Sequence, residues 1–341
     1  MYYSVNPYTQ ERLATFETAT DSDIKFTLDR LQSLFLSWRF TEISERLSVI
    51  KLCLDRLNSR KDECAKLISS EMGKPIEQAK GEVEKSIGLC RYYLDHLDNM
   101  LNDLHQSNIR LEPLGIILAV MPWNFPVWQL FRVLIPQIAM GNVLLFKPAP
   151  NVGLTNQFLA DLLQDSVPVE WLRLSNKQVE SVIKDDRIAA VTLTGSVRAG
   201  KAVAALAASE IKPTVLELGG SDPYIICDDA DIELALEKLL LSRFQNAGQS
   251  CIAAKRLLLH TSIKDYFLDQ LILAMKKFSY GDPMNSDTFI GPLARKSCVD
   301  RIYEQVNQGL AADAKLLFQA NLADSLSDCF FPATLIELSS K

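Results

Sequence analysis

The sequence predicts an α/β protein: a largely parallel sheet followed by a second α/β series. Three observations carry this prediction. Short apolar runs bounded by Gly, Pro, Asn or Asp begin near Ile109, helical stretches of ten or so residues separate them, and the same alternation resumes after Leu218. Before Ile109 the texture is helical. Ser22 to Trp38 and Ile43 to Leu57 space their apolar residues three and four apart, and Glu77 to Leu104 does so over a longer run, with Gly73-Lys74-Pro75 as the break before it. The strands expected after that are Leu114–Val120, Val143–Phe146, Ala189–Leu193, Val215–Leu218 and Tyr224–Cys227. The helices between them are Leu154–Gln164, Lys177–Lys184, Ala199–Ser209 and Ile232–Gln245. No internal repeat or low-complexity segment interrupts the pattern.

Composition narrows the function. The 341 residues allow two domains or one large one, and 48% apolar with 23% charged residues is an ordinary globular balance. A net charge of −6 argues against nucleic acid as a partner, because a phosphate-binding surface needs a basic excess. No apolar run reaches the roughly eighteen residues that a membrane span needs. Met1 to Asp21 is polar and has no apolar signal core, so export is not expected. The seven cysteines are scattered and odd in number, with no C-x-x-C pair. Neither a zinc site nor a disulfide framework is indicated, and a reducing cytoplasm fits.

Five segments could carry chemistry, and each has a plainer reading. Met121–Pro126 follows a strand, where parallel sheets gather ligand contacts, and Asn124 between two prolines could donate to a developing oxyanion; equally, Trp123 and Phe125 could be core. Lys147 ends the next strand and could meet a ribose hydroxyl or a phosphate, or could be a surface lysine before a proline-rich turn. Thr194-Gly195-Ser196 runs into a helix whose free N–H groups suit a phosphate, although the spacing matches neither G-x-G-x-x-G nor the Walker pattern. Glu217 lies in an apolar strand before Gly219-Gly220; burial there would raise its pKa towards that of a general base, unless an ion pair holds it. Cys251 stands in the segment Phe244–Arg256, whose small-residue loop would leave its thiol accessible; the other six cysteines are expected to be buried small apolar groups.

In this order the segments resemble the aldehyde dehydrogenase superfamily. Pro122–Pro126, Lys147-Pro148, Thr194–Ser196 with Gly200, Glu217–Gly220 and Gly248–Cys251 are similar to its successive signatures, and Gly281–Pro283 and Gly291–Leu293 continue the match. Five ordered motifs are far more specific than any one of them. The likeness runs from about Tyr8 onward, and Gln245–Arg256 looks like the succinate-semialdehyde dehydrogenase-like branch. The fold implied is aldehyde dehydrogenase-like: a Rossmann-like cofactor domain over residues 1–217, with a short oligomerisation segment near 105–113, and an incomplete α/β catalytic domain over 218–341.

The resemblance implies a mechanism. Cys251 attacks an aldehyde, the Asn124 side chain and the Cys251 N–H hold the oxyanion, hydride passes to NAD or NADP, and Glu217 activates the water that cleaves the thioester. Lys147 would contact the adenosine ribose, Ser196 and the helix start beyond it would hold the pyrophosphate, Gly195, Gly200 and Leu218 would also belong to the cofactor site, and Trp123 would line the adjacent pocket. Arg132, nine residues after Trp123, is where semialdehyde-oxidising relatives bind a distal carboxylate; a surface salt bridge is its other reading. Family members are homo-oligomeric.

The chain departs from the family pattern in two places. Pro168–Leu174 replaces a glycine-rich connection and reads as a trimmed loop. After Leu335 the family continues with Glu-x-Phe-Gly-Pro and a final intersubunit strand, which Ile336–Lys341 does not carry. The expectation is therefore an enzyme oxidising a small carboxylated aldehyde, with a truncated, non-catalytic remnant as the alternative and a cysteine esterase as a third reading. On the truncated reading, a chain ending at Lys341 is expected to be a poor dehydrogenase.

Overall fold

The computed structural model describes residues 1–104 and 111–338. The chain forms two compact units. The first comprises residues 1–4, 13–67 and 80–219, and the second residues 5–12, 68–79 and 220–341. A contiguous split at 217/218 does not anticipate the two N-terminal segments that join the second unit. Of the expected oligomerisation segment, residues 105–110 lie outside the described residues.

In the first unit, strands β1 (Tyr2–Val5) and β2 (Arg12–Phe16) pair. Helices α1 (Asp21–Trp38), α2 (Ile43–Ser59), α3 (Lys61–Met72) and α4 (Ile76–Leu104) follow, α3 and α4 contributing residues to both units. Thr20 caps α1 reciprocally with Asp23, so the N–H groups of Thr20 and Asp23 at that end are both satisfied. Helix α2 matches the stretch expected from Ile43 to Leu57, whereas α3, which starts after Arg60, is a helix that the apolar spacing does not single out.

The sheet alternates with helices: β3 (Ile116–Val120), α5 (Pro126–Ala139), β4 (Val143–Lys147), α6 (Gly153–Leu163), β5 (Val169–Trp171), α7 (Asn176–Lys184), β6 (Ile188–Thr194), α8 (Val197–Ser209) and β7 (Thr214–Glu217). All neighbouring strands are parallel, in the order β5-β4-β3-β6-β7. This is the doubly wound order, and it reverses direction between β3 and β6; the loops beyond that point are where such sheets receive ligands. Strands β3 and β4 are buried on both faces, as parallel strands covered by helices should be. The expected trimmed loop at Pro168–Leu174 holds β5 instead. Val169 and Trp171 suit a pleated surface and pair in register with Leu144 and Phe146.

In the second unit, β8 (Asp222–Ile226) and β9 (Ala254–Leu259) are parallel and joined by α9 (Ile232–Phe244). Next come α10 (Lys264–Met275), α11 (Lys296–Ala311) and an antiparallel pair, β10 (Lys315–Gln319) with β11 (Thr334–Glu337). Ile226, Leu239, Phe267, Leu271, Met275 and Ala333 form its core. Ile225 and Leu258 point the other way, 67% and 47% exposed.

Candidate active site

Four groups singled out in the sequence reach the same edge of the first unit's sheet. Register pairs Val120 with Lys147 on one side and with Leu193 on the other, and Thr194 pairs with Glu217. The carboxyl ends of β3, β4, β6 and β7 therefore present the Asn124 loop, Lys147, the Gly195-Ser196 turn and Glu217 together.

The loop from Met121 to Phe125 is held at both ends. The Met121 N–H donates to the Lys147 carbonyl at 3.1 Å. At the other end α5 starts with Pro126, which has no N–H, and Phe125 offers no capping side chain. The buried Glu82 of α4 supplies the cap: its Oε1 accepts from the N–H groups of Val127 at 2.9 Å and Trp128 at 3.1 Å. A carboxylate at a helix N-terminus also meets the positive end of the helix dipole. Asn124 and Trp123 are half-buried on this loop.

Lys147 is 7% exposed, with the Tyr2 ring 5.8 Å from its Nζ. Burial pushes its ammonium down to about 8, and no carboxylate among the described residues offsets that. An unpaired buried cation of this kind fits an anionic or hydroxyl-bearing ligand. Ser196 is the N-cap of α8, its Oγ accepting from the Ala199 N–H at 3.3 Å. The hydroxyl proton is still available to donate outward. No acidic residue lies in the first turn of α8 to oppose an anion there. Gly200 in that turn leaves room for Leu218: a Cβ at position 200 would sit 2.5 Å from Leu218 Cδ2.

Two sequence expectations need correction. Glu217 does not sit in an apolar interior. Strand β7 is the last in the sheet, so an apolar run there does not imply burial; Val215 is 63% exposed. The Glu217 side chain is 45% exposed and pairs with Arg132 of α5, Nη2 to Oε1 at 2.8 Å, the Arg132 side chain being 33% exposed. Arg132 thus already has a carboxylate partner, and it is the candidate base. The cysteines are also less uniform than expected. Cys53, Cys64, Cys90 and Cys329 are buried, burial pushing Cys53 up to about 12, whereas Cys227 is exposed and Cys298 partly so.

In the second unit, Cys251 is partly exposed after a tight left-handed turn. Asn246, Ala247 and Gly248 have φ of 56°, 51° and 76°. Two successive non-glycine residues in this region are costly, and such strain persists only where the surroundings over-determine it. Here they do. Gln78 Oε1 accepts from the Asn246 N–H at 2.6 Å while Gln78 Nε2 donates to the Phe289 carbonyl at 3.2 Å. Gln249 Oε1 accepts from the Ala294 N–H at 3.0 Å, and its own N–H donates to the Asn246 carbonyl at 3.0 Å. Lys255 Nζ donates to the Cys251 carbonyl at 2.9 Å and the Ser250 carbonyl at 3.1 Å. Glycine suits position 248, where φ is 76° and a Cβ would also crowd the Arg243 carbonyl oxygen at 3.1 Å.

Sequence reasoning missed Glu82 and Gln78. Neither belongs to a motif, and each acts on residues far along the chain. Two surface hollows, of about 310 and 360 Å³, are lined by none of the candidate residues.

The aldehyde dehydrogenase family model matches residues 1–340. The chain is 40% identical over 346 residues to the Escherichia coli K12 succinate semialdehyde dehydrogenase [NAD(P)+] Sad, with 98% of this chain and 75% of that protein covered. It is 40% identical to the Mycobacterium avium succinate-semialdehyde dehydrogenase [NADP(+)], with 98% and 73% covered. Among solved structures, the Streptococcus pyogenes succinic semialdehyde dehydrogenase in complex with NADP+ superposes with a TM-score of 0.93 at 32% identity, with 100% of this chain and 77% of that one covered. The chain belongs to the aldehyde dehydrogenase family, in its succinate-semialdehyde dehydrogenase-like branch.

Proposed function

We propose that this protein is an NAD(P)-dependent aldehyde dehydrogenase that oxidises a semialdehyde such as succinate semialdehyde to the acid. The observation that carries this reading is Cys251 itself, partly exposed beside a strained turn that three side chains brace. A structural cysteine needs no such bracing. Two relatives at 40% identity are named as succinate-semialdehyde dehydrogenases using NAD(P)+ and NADP+, which supports both the substrate class and the cofactor.

In this mechanism the Cys251 thiolate adds to the aldehyde carbon. The Asn124 side chain and the Cys251 N–H, which has no acceptor among the described residues, donate to the oxyanion. NAD(P) supplies the hydride acceptor when bound. Lys147 would hold the adenosine ribose or its phosphate, and Ser196 with the first turn of α8 the pyrophosphate. Gly195 and Gly200 keep that approach open, while Leu218 and Trp123 give apolar contact. Glu217 takes a proton from the water that attacks the thioester, and the acid leaves as the thiolate is regenerated. Arg132 offers the bidentate geometry that a distal carboxylate prefers. None of the described helices is long and apolar enough to cross a membrane. Cytoplasmic location and homo-oligomeric assembly, as in the family, belong to the same proposal.

Measuring thioester formation, NAD(P)H release and ester hydrolysis on one sample tests it. All three are expected. Ester hydrolysis with no NAD(P)H release would leave an esterase, and absence of all three would leave a non-catalytic relative.

A further inference from the structure

We infer that Arg132 is a release device for the base: it holds the Glu217 carboxylate until a carboxylate on the substrate takes the guanidinium. This rests on the assignment of Cys251 as nucleophile and Glu217 as base. Arg132 Nη2 and Glu217 Oε1 are 2.8 Å apart, one side chain on α5 and the other at the end of β7. Among the described residues Arg132 has no second carboxylate partner. Both side chains are partly open to solvent, 33% and 45% exposed, so an incoming carboxylate can reach the fork and compete for it.

The consequence falls on deacylation. In that step a water oxygen adds to the thioester carbonyl, Glu217 takes the water proton, and collapse expels the Cys251 thiolate and leaves a carboxylic acid. While tethered, the Glu217 carboxylate stands where Arg132 holds it, with one oxygen engaged. A semialdehyde keeps its distal carboxylate after acylation, so the guanidinium stays occupied and Glu217 stays free throughout the step. An acyl group with no charge leaves Arg132 to Glu217. A carboxylated substrate is therefore favoured in the chemistry as well as in binding, and this is a different source of specificity from a simple carboxylate pocket. An exposed ion pair is weak, which suits a device that must open at each turnover.

The test follows hydrolysis of the acyl-enzyme directly, by quenching and mass analysis of Cys251, with butanal as the uncharged substrate. On the wild type, millimolar propionate is expected to speed decay of the butyryl-enzyme about fivefold, the factor that corresponds to a pair worth about 1 kcal/mol. Arg132→Met is expected to show the faster decay without propionate and no further response to it. No effect of propionate on the wild type, or decay in Arg132→Met equal to or slower than the untreated wild type, overturns the inference. Glu217→Gln separates this from the underlying assignment. If its acyl-enzyme decays as fast as the wild type, Glu217 is not the base and the mechanism itself is wrong.

Discussion

Replacing Lys147 by methionine should stabilise the first unit while weakening nucleotide binding. The ammonium is 7% exposed, and burial lowers it from the ordinary 10.5 to about 8. At 1.36 kcal/mol per pKa unit, keeping it charged at pH 7 costs the fold about 3 kcal/mol. The offsetting attraction to the Tyr2 ring, 5.8 Å away, is worth only about 0.5–1 kcal/mol. Desolvation wins, so Lys147→Met should gain about 2 kcal/mol at pH 7. The sign with pH follows from linkage. Between about 8 and 10.5 the unfolded chain still binds the proton that the folded one has lost, so wild-type stability rises across that window. The advantage of the variant should shrink there and vanish above it.

All four tryptophans, at 38, 123, 128 and 171, lie in the first unit, so urea unfolding followed by tryptophan fluorescence reports that unit without the second. Nucleotide affinity should move oppositely: wild-type binding of NADP+ weakens as pH passes about 8, while the variant binds weakly at every pH. A variant less stable than wild type at pH 7, or a difference that does not change between pH 8 and 10.5, would refute the reasoning.

Cys251→Ala is expected to abolish acylation and turnover with little change in nucleotide Kd by titration calorimetry, whereas Glu217→Gln should release one burst of NAD(P)H and then stall; a normal steady-state rate in Glu217→Gln would remove it as the base. Gln78→Ala strands the Asn246 N–H, a loss of about 1–3 kcal/mol in a buried site, and should slow acylation in stopped flow while leaving nucleotide affinity alone. Unchanged acylation there would mean the turn holds without that brace. Cofactor choice should be permissive. Pro150 stands three residues after Lys147, where NAD-preferring relatives often carry a glutamate that repels a 2′-phosphate. A preference for NAD above a hundredfold in kcat/KM, on the order of 2.7 kcal/mol, would contradict this.

What was legible in the sequence is what local chemistry determines. Strands β3, β4 and β6 are apolar runs ended by Pro, Gly or Asn, and the motifs stand at the carboxyl ends of strands because a doubly wound sheet leaves those ends open. Ser196 as a helix start follows from its hydroxyl and the apolar run beyond it. Burial of Glu217 was inferred from an apolar strand, but whether a strand is central or at the edge depends on the order of the whole sheet. The short β5 has no period to read, and α3 follows α2 after Arg60 with no Gly or Pro between them to mark a separate element. Glu82 and Gln78 act across 45 and 168 residues, on N–H groups that a sequence cannot show to be orphaned.

These distant contacts explain a division of labour in the molecule. Asn124 and Cys251 sit on a short loop and after a tight turn, where the backbone has few ladder bonds of its own. Positioning has to come from elsewhere, and it comes from buried or half-buried polar side chains on long helices and neighbouring loops. Glu82 does this for the Asn124 loop, and Gln78 and Gln249 do it for the Cys251 turn. Arg132 meets Glu217 in an ion pair whose two side chains are both partly exposed. Glu217, the proposed base, is held by a contact that water and a substrate carboxylate can both reach.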